Sequence, residues 1–198
     1  MKQQVIMIHG WIPKENYKNS LEAIKAEWYD PYKEPSLRWT KTLAEDLWDD
    51  YEVQRPDMPF KYFTDYNQWK TKFELVIPYI RDDAIIIGHS LGANFLMKYL
   101  DENEFPVNPK RLFIVAPGIK DDENEILGSF NYDLNLSNFK KYAPITSLYQ
   151  SKDDPVCVYD FLELIREPLK DVTWRIFEDR GHFLSEKLPE IIDEIKSL

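Results

Sequence analysis

The sequence predicts an α/β fold: a mostly parallel sheet of about six strands with helices on both faces. Three observations carry that expectation. Val5-Ile6-Met7-Ile8 and Ala84-Ile85-Ile86-Ile87 are short, continuous apolar runs without polar alternation, as strands buried on both faces read. Such runs alternate with stretches of helical spacing along the whole chain, the pattern of parallel strands joined by crossover helices. The length of 198 residues, 43% hydrophobic and 15% aromatic, suits one domain with a sizeable core.

The elements follow in order. Val5 to Ile8 is the first strand, bounded by His9-Gly10. Tyr17, Leu21, Ile24 and Trp28 follow helical spacing, and prolines and charges from Asp30 to Pro35 break it. A helix is predicted from about Trp39 to Asp50, with Leu43, Leu47 and Trp48 on one face, and then a short strand over 51–55 closed by Pro56. Trp69, Phe73, Val76, Ile77 and Ile80 define a helical face. The 84–87 strand leads into a helix whose buried stripe is Leu91, Phe95, Leu96, Tyr99 and Leu100. Strands are predicted at Arg111 to Ala116, Ile145 to Gln150 and Val172 to Phe177. Phe161, Leu162, Ile165 and Leu169 form the helical face between the last two. A closing helix carries Leu188, Ile191, Ile192, Ile195 and Leu198, with Pro189 tolerated in its first turn. Residues 118–144 are acidic and weakly periodic, an excursion over one end of the sheet and the one candidate cap within a single domain of residues 1–198.

Charge and composition exclude several classes of function. The formal net charge is −10, and no Lys/Arg cluster rises above it, which argues against nucleic acid and anionic membrane surfaces as partners. The four apolar residues Val5 to Ile8 are too few for a secretory leader's core, and no stretch approaches the ~20 apolar residues of a membrane span. The lone cysteine, Cys157, permits no intramolecular disulfide and reads as a small core residue. A cytoplasmic location is expected. No metal-ligand cluster or phosphate-cradling glycine-rich loop is visible, so neither a metal nor another cofactor is expected.

The chemistry concentrates in Gly88-His89-Ser90-Leu91-Gly92, a Gly-x-Ser-x-Gly between a buried strand and a helix. A serine on so sharp a strand-to-helix turn is presented as a nucleophile, with small residues two before and two after it letting the turn pack. The bland alternative is a surface serine in an ordinary turn. A serine hydroxyl needs a base, and three histidines are available: His9, His89 and His182. His182, in Asp179-Arg180-Gly181-His182-Phe183, directly follows the last strand. His89 adjoins the serine, so its side chain should point elsewhere, toward packing. An acid that orients the histidine belongs after an intervening strand, in chain order Ser, Asp, His. Ser151-Lys152-Asp153-Asp154-Pro155 offers two carboxylates there; Asp154, held extended by the following proline, is favoured, and Asp153 stays open. Backbone N–H groups for an oxyanion are expected from Leu91, at a helix N-terminus, and from Trp11, in His9-Gly10-Trp11. All these residues follow strands, where ligands bind in open α/β sheets.

With these residues assembled, the chain resembles the α/β-hydrolase superfamily, and more narrowly the small serine hydrolases grouped with retinoblastoma-binding protein 9 and bacterial YdeN. The matching points are Ile86-Ile87-Gly88-His89-Ser90-Leu91-Gly92-Ala93, Lys152-Asp153-Asp154-Pro155, Gly181-His182-Phe183 and Pro56-Asp57-Met58-Pro59. The resemblance implies a compact version of the fold with little cap and a Ser90–Asp154–His182 assignment. The complete triad in that order, each member after a strand, is what points to action on a small acyl substrate. The segment between Gly10 and Trp39 departs from the family in being longer and rich in Trp, Tyr and Pro. Either 12–38 or 118–144 could form a lid. A carboxylic ester is the expected substrate class. Peptide, thioester or carbon–carbon bonds, or a binding protein that merely retains the fold, are the alternatives. Oligomeric state is unreadable.

Overall fold

Six parallel strands form one sheet in the order β2-β1-β3-β4-β5-β6. They are β1 (Gln3–Ile8), β2 (Tyr51–Gln54), β3 (Ile85–His89), β4 (Arg111–Val115), β5 (Thr146–Ser151) and β6 (Thr173–Phe177). The helices are α1 (Tyr17–Ala26), α2 (Trp39–Leu47), α3 (Tyr66–Val76), α4 (Leu91–Glu102), α5 (Glu163–Arg166) and α6 (Pro189–Lys196). This is a computed structural model, and it describes every residue except 12, 15, 28, 29, 33–35, 61, 62 and 122–125. Trp28, expected on the face of α1, and most of the acidic run after Lys120 therefore lie outside the described residues.

Strand periodicity sorts the core into two layers. Ile6, Ile8, Ile86, Leu112, Ile114 and Leu148 face one way, against α3, α4 and Ile165 of α5. Val5, Met7, Ile85, Ile87, Phe113, Val115 and Tyr149 face the other way, against Trp39, Leu43 and Leu47 of α2 and Leu188, Ile191 and Ile195 around α6. The central strand β3 is buried at all of its positions, which explains its unbroken apolar run, whereas the edge strands β2 and β6 are only partly buried. Each fully buried Leu, Ile or Val contributes about 1.5–3 kcal/mol. Local signals close the helices: the Asp65 carboxylate accepts from the Asn67 and Gln68 N–H groups at the start of α3, and Pro189 opens α6.

Three expectations need correction or refinement. Tyr17, Leu21 and Ile24 share a helix, but their side chains are exposed and only Ser20 of α1 is buried. The other helices already cover both sheet faces, so the apolar stripe of α1 enters neither core layer. Trp48 was expected on the buried face of α2; instead the helix ends at Leu47, and Trp48 takes φ 56° and turns out to 76% exposure. The described residues of 118–144 show their weak periodicity as 3₁₀ turns at Gly128–Phe130 and at Phe139–Ile145, the second running on to the start of β5. Their buried side chains Leu127, Phe130, Leu136 and Phe139 supply the crossover between β4 and β5. The buried Asp101 carboxylate at the end of α4 pins this segment by accepting from the Asn138 and Phe139 N–H groups.

Because every strand pairing is parallel, the carboxyl ends of β1, β3, β5 and β6 emerge on one edge of the sheet. The register brings Ile8 beside Gly88, His89 beside Val115 and Ser151 beside Phe177. Loops far apart in sequence thus meet at one place.

Candidate active site

Ser90 occupies the turn between β3 and α4 with φ 54° and ψ −126°, a conformation that L-residues rarely adopt. Two features hold it there. The Ser90 N–H donates to the Val115 carbonyl at 2.9 Å, and the Ser90 carbonyl accepts from the Ala93 and Asn94 N–H groups in the first turn of α4. The glycines of the motif are required by close approach. A Cβ on Gly92 would sit 2.2 Å from the Ile8 carbonyl oxygen, and one on Gly88 would sit 2.6 Å from the Gly92 oxygen. Gly10, from the loop after β1, lies so near that its Cβ would stand 2.5 Å from Ser90 Cβ and 3.1 Å from Ser90 Oγ. The Gly10–Trp11 peptide therefore borders the serine, while Leu91 opens α4, where N–H groups have no intrahelical acceptor.

His182 Nε2 lies 2.9 Å from Ser90 Oγ. Its Nδ1 lies 2.9 Å from Asp154 Oδ2 and 3.1 Å from Oδ1. The carboxylate can only accept, so Nδ1 carries the proton and Nε2 is left to accept from the serine hydroxyl. Ser90, His182 and Asp154 are all buried or nearly so, the His182 side chain 9% exposed and the Asp154 side chain fully covered. The Asp154 carboxylate is itself fixed, Oδ1 accepting from the Val156 and Cys157 N–H groups at 2.8 and 2.9 Å. The neighbouring Asp153 points elsewhere. Its carboxylate accepts from Ser151 Oγ and from the Gly181 N–H at 2.8 Å, and these hydrogen bonds hold its pKa below the usual carboxylate value. One aspartate thus meets the histidine ring and the other the histidine loop.

The other two histidines have different surroundings. His9 Nε2 accepts from the Met58 N–H at 3.3 Å, and its ring sits edge-on to Trp11 and Trp69. Burial, assisted by the positive charge of Arg55, lowers its pKa to about 4, only partly offset by the Gly10 carbonyl. His89 is buried with its ring edge-on to Trp39 and 5.3 Å from the His182 ring, and its Nε2 meets the His182 carbonyl at 3.0 Å. Burial, and then the proximity of His182, lowers its pKa to about 3. Both rings are neutral near pH 7.

Sequence spacing shows no metal-ligand cluster, yet the tertiary structure brings ligand atoms of Asp154, Cys157 and His182 within 4.8 Å of one another. Each already has a partner: Asp154 and His182 hold one another, and Cys157 Sγ–H donates to the Ala116 carbonyl at 3.3 Å. A cation there would have to displace the His182–Asp154 hydrogen bond. Two anchoring residues escaped the sequence reading. Asn94, fully buried on α4, donates to and accepts from the Gly118 backbone, tying the loop after β4 to the serine's helix. Trp39 donates its indole N–H to the Phe183 carbonyl at 2.8 Å. Both read in sequence only as positions on amphipathic helices.

Known proteins share this architecture. The chain is similar to the YdeN gene product of Bacillus subtilis, with a TM-score of 0.76, 18% identity, and coverage of 99% of this chain and 98% of that one. It is also similar to the meta-cleavage product hydrolase CumD of Pseudomonas fluorescens IP01, with a TM-score of 0.65, 13% identity, and coverage of 98% and 91%. At those identities the likeness concerns the fold. In sequence, the serine hydrolase RBBP9 of Rattus norvegicus is 30% identical over 120 residues, spanning 59% of this chain and 62% of that protein. The profile of the family described as Serine hydrolase matches residues 27–188, most of the chain and both loops that carry Asp154 and His182. On that match, this chain belongs to the serine hydrolase family.

Proposed function

We propose that the protein hydrolyses small carboxylic esters through an acyl-enzyme on Ser90, with His182 as base and Asp154 as the acid that orients it. What supports this reading above all is the unbroken line of hydrogen bonds from Asp154 through His182 to Ser90 Oγ, ending at a strained turn. As Ser90 Oγ attacks the acyl carbonyl, its proton passes to His182 Nε2, and Asp154 stabilises the imidazolium without taking the proton. The oxygen that becomes negative is held by backbone N–H groups of Leu91 and Trp11. The tetrahedral intermediate collapses as His182 protonates the departing alkoxide, leaving the acyl group on Ser90. Water then attacks that ester while His182 takes its proton, and the carboxylic acid leaves with Ser90 regenerated. No resident metal or cofactor has a step in this scheme.

The proposed partner is a small acyl molecule bound at the strand ends, in a protein working in the cytoplasm. Among the described residues, no helix is long and apolar enough to cross a membrane. The decisive experiment is labelling with a fluorophosphonate. An adduct on Ser90, and loss of p-nitrophenyl ester turnover in Ser90→Ala, are the expected results. Absence of an adduct on Ser90 in the folded protein overturns the reading. A panel of matched esters, thioesters, amides and carbon–carbon substrates then ranks the bond types the same three residues could cleave.

A further inference from the structure

The loop bearing His182 is shaped in a way an unsupported chain rarely adopts. Gly181 and Phe183, the residues on either side of the histidine, both have positive φ, 51° in each case, and Phe183 is a bulky residue with no preference for that region. A turn hydrogen bond from the Phe183 N–H to the Arg180 carbonyl spans it at 3.1 Å. Strain of this kind persists only where the surroundings over-determine the conformation.

Four side chains from three other elements provide that determination, each gripping a different peptide group. On the incoming side, Ser151 Oγ accepts from the Arg180 N–H at 2.9 Å, and Asp153 accepts from the Gly181 N–H at 2.8 Å. On the outgoing side, His89 Nε2 meets the His182 carbonyl at 3.0 Å, and the Trp39 indole N–H donates to the Phe183 carbonyl at 2.8 Å. Consecutive residues 180 to 183 are thus tethered through their backbones from the ends of β5 and β3 and the start of α2. His89 and Trp39 also pack edge-on to one another, so the two outgoing donors brace each other.

On the reading of Ser90 and His182 given above, we propose that His89 and Trp39 are positioning residues: they hold the carbonyls of His182 and Phe183 so that the His182 ring spans Asp154 and Ser90. The chemistry of His89 suits this task. A carbonyl only accepts, so His89 carries its proton on Nε2 and donates it. Its burial keeps it neutral, so it supplies a donor without a positive charge beside the histidine that must itself become cationic. A lysine or arginine there would supply the hydrogen bond but oppose protonation of His182. The arrangement also gives the residue between Gly88 and Ser90 a use: the turn that aims the serine at the histidine ring aims its predecessor at the histidine backbone.

Three variants test the proposal: His89→Leu removes the donor, His89→Gln replaces it with a neutral amide donor, and Trp39→Phe keeps an aromatic, though smaller, ring and deletes the indole N–H. Misplacement of a reacting group by about 1 Å can cost on the order of 100-fold. For His89→Leu we therefore expect kcat on a p-nitrophenyl ester to fall about 10- to 100-fold with KM nearly unchanged, and fluorophosphonate labelling to slow in parallel. His89→Gln should recover most of the loss, and Trp39→Phe should lose about tenfold. Thermal melts confirm that each variant is folded at the assay temperature; if His89→Leu does not fold, Trp39→Phe and His89→Gln carry the test. A proton NMR spectrum supplies a readout independent of turnover. The downfield Nδ1–H resonance of His182 against Asp154 should be sharp in the wild type and His89→Gln, and broadened in His89→Leu. Folded His89→Leu and Trp39→Phe variants with wild-type kcat and an unchanged resonance would overturn the proposal. So would a His89→Gln variant no better than His89→Leu. A wild-type protein inert to every acyl probe would refute the catalytic reading of Ser90, while the resonance would still decide the positioning role.

Discussion

Replacing Glu194 with glutamine should separate stability from activity in this protein. Glu194 lies on α6, with its side chain 9% exposed, at the end of the sheet opposite the candidate active site. Its carboxylate accepts from Ser147 Oγ, from Tyr149 OH at 2.8 Å, from Arg111 at 2.9 Å and from Arg175 Nε at 3.0 Å. One side chain thereby ties α6 to β4, β5 and β6. Burial alone raises the pKa of this carboxyl, but the four hydrogen bonds more than reverse that and hold it at about 2 instead of 4.5. A carboxylate so depressed contributes on the order of 3 kcal/mol to folding. The sign follows from linkage: the unfolded chain binds the proton more tightly, so the contribution is complete above about pH 5 and is lost as pH falls toward 2. Glutamine keeps the size and one acceptor but leaves two guanidinium groups facing no charge. We expect about 2–4 kcal/mol of destabilisation at pH 7, a drop in Tm of very roughly 5–15 °C for a chain of this size. The assay is urea unfolding of wild type and variant at pH 7 and at intervals down to pH 3. The difference between the two proteins, which cancels the other carboxylates, should shrink steadily below pH 5. Ester turnover at 25 °C, measured below both transitions, should be unchanged. A variant within about 0.5 kcal/mol of wild type at pH 7, or a difference that does not vary with pH, would refute the reasoning.

Two further predictions concern the strand ends. Gly10→Ala places a methyl 2.5 Å from Ser90 Cβ and 2.6 Å from the His89 carbonyl oxygen, neither of which can yield without disturbing the strained turn. It should cost about 1–3 kcal/mol of stability and slow fluorophosphonate labelling at least tenfold, whereas labelling at the wild-type rate would show that the loop approaches less closely than 3 Å. The two adjacent aspartates should differ sharply in kinetics. Asp154→Ala removes the acceptor of His182 Nδ1–H and should lower kcat about 10³- to 10⁴-fold, whereas Asp153→Ala releases the Gly181 N–H and the Ser151 hydroxyl without touching the His182 ring and should cost about tenfold. Equal losses in the two variants would mean that Asp154 has no privileged relation to the histidine.

Much of this was legible in the residues themselves. All six strands were predicted within a residue or two; for β1, β3 and β4 the signal is an apolar run at successive positions, as burial on both faces requires, and that is a local property. The Gly-x-Ser-x-Gly turn is local as well: Gly88 and Gly92 are required by close contacts within one strand-turn-helix unit and with the end of its neighbour β1. Serine hydrolase membership follows from such short-range patterns in their order along the chain.

What the sequence could not decide depends on where distant segments meet. The apolar stripe of α1 is as regular as that of α2, yet only α2 finds a sheet face to cover, because the space on both faces is allocated by all the crossovers together. Asp153 and Asp154 are chemically identical neighbours; the loop turns one carboxylate to the His182 ring and the other to the Gly181 N–H. His89 and Trp39 read as a packing residue and a helix start, and became the grips on the histidine loop only once β3, α2 and the segment after β6 were brought to one edge of a parallel sheet. Periodicity is written in consecutive residues and fixes which elements form. The direction of a side chain toward a partner some 90 to 140 residues away is set by the closing of the whole sheet, and only the tertiary structure decides it.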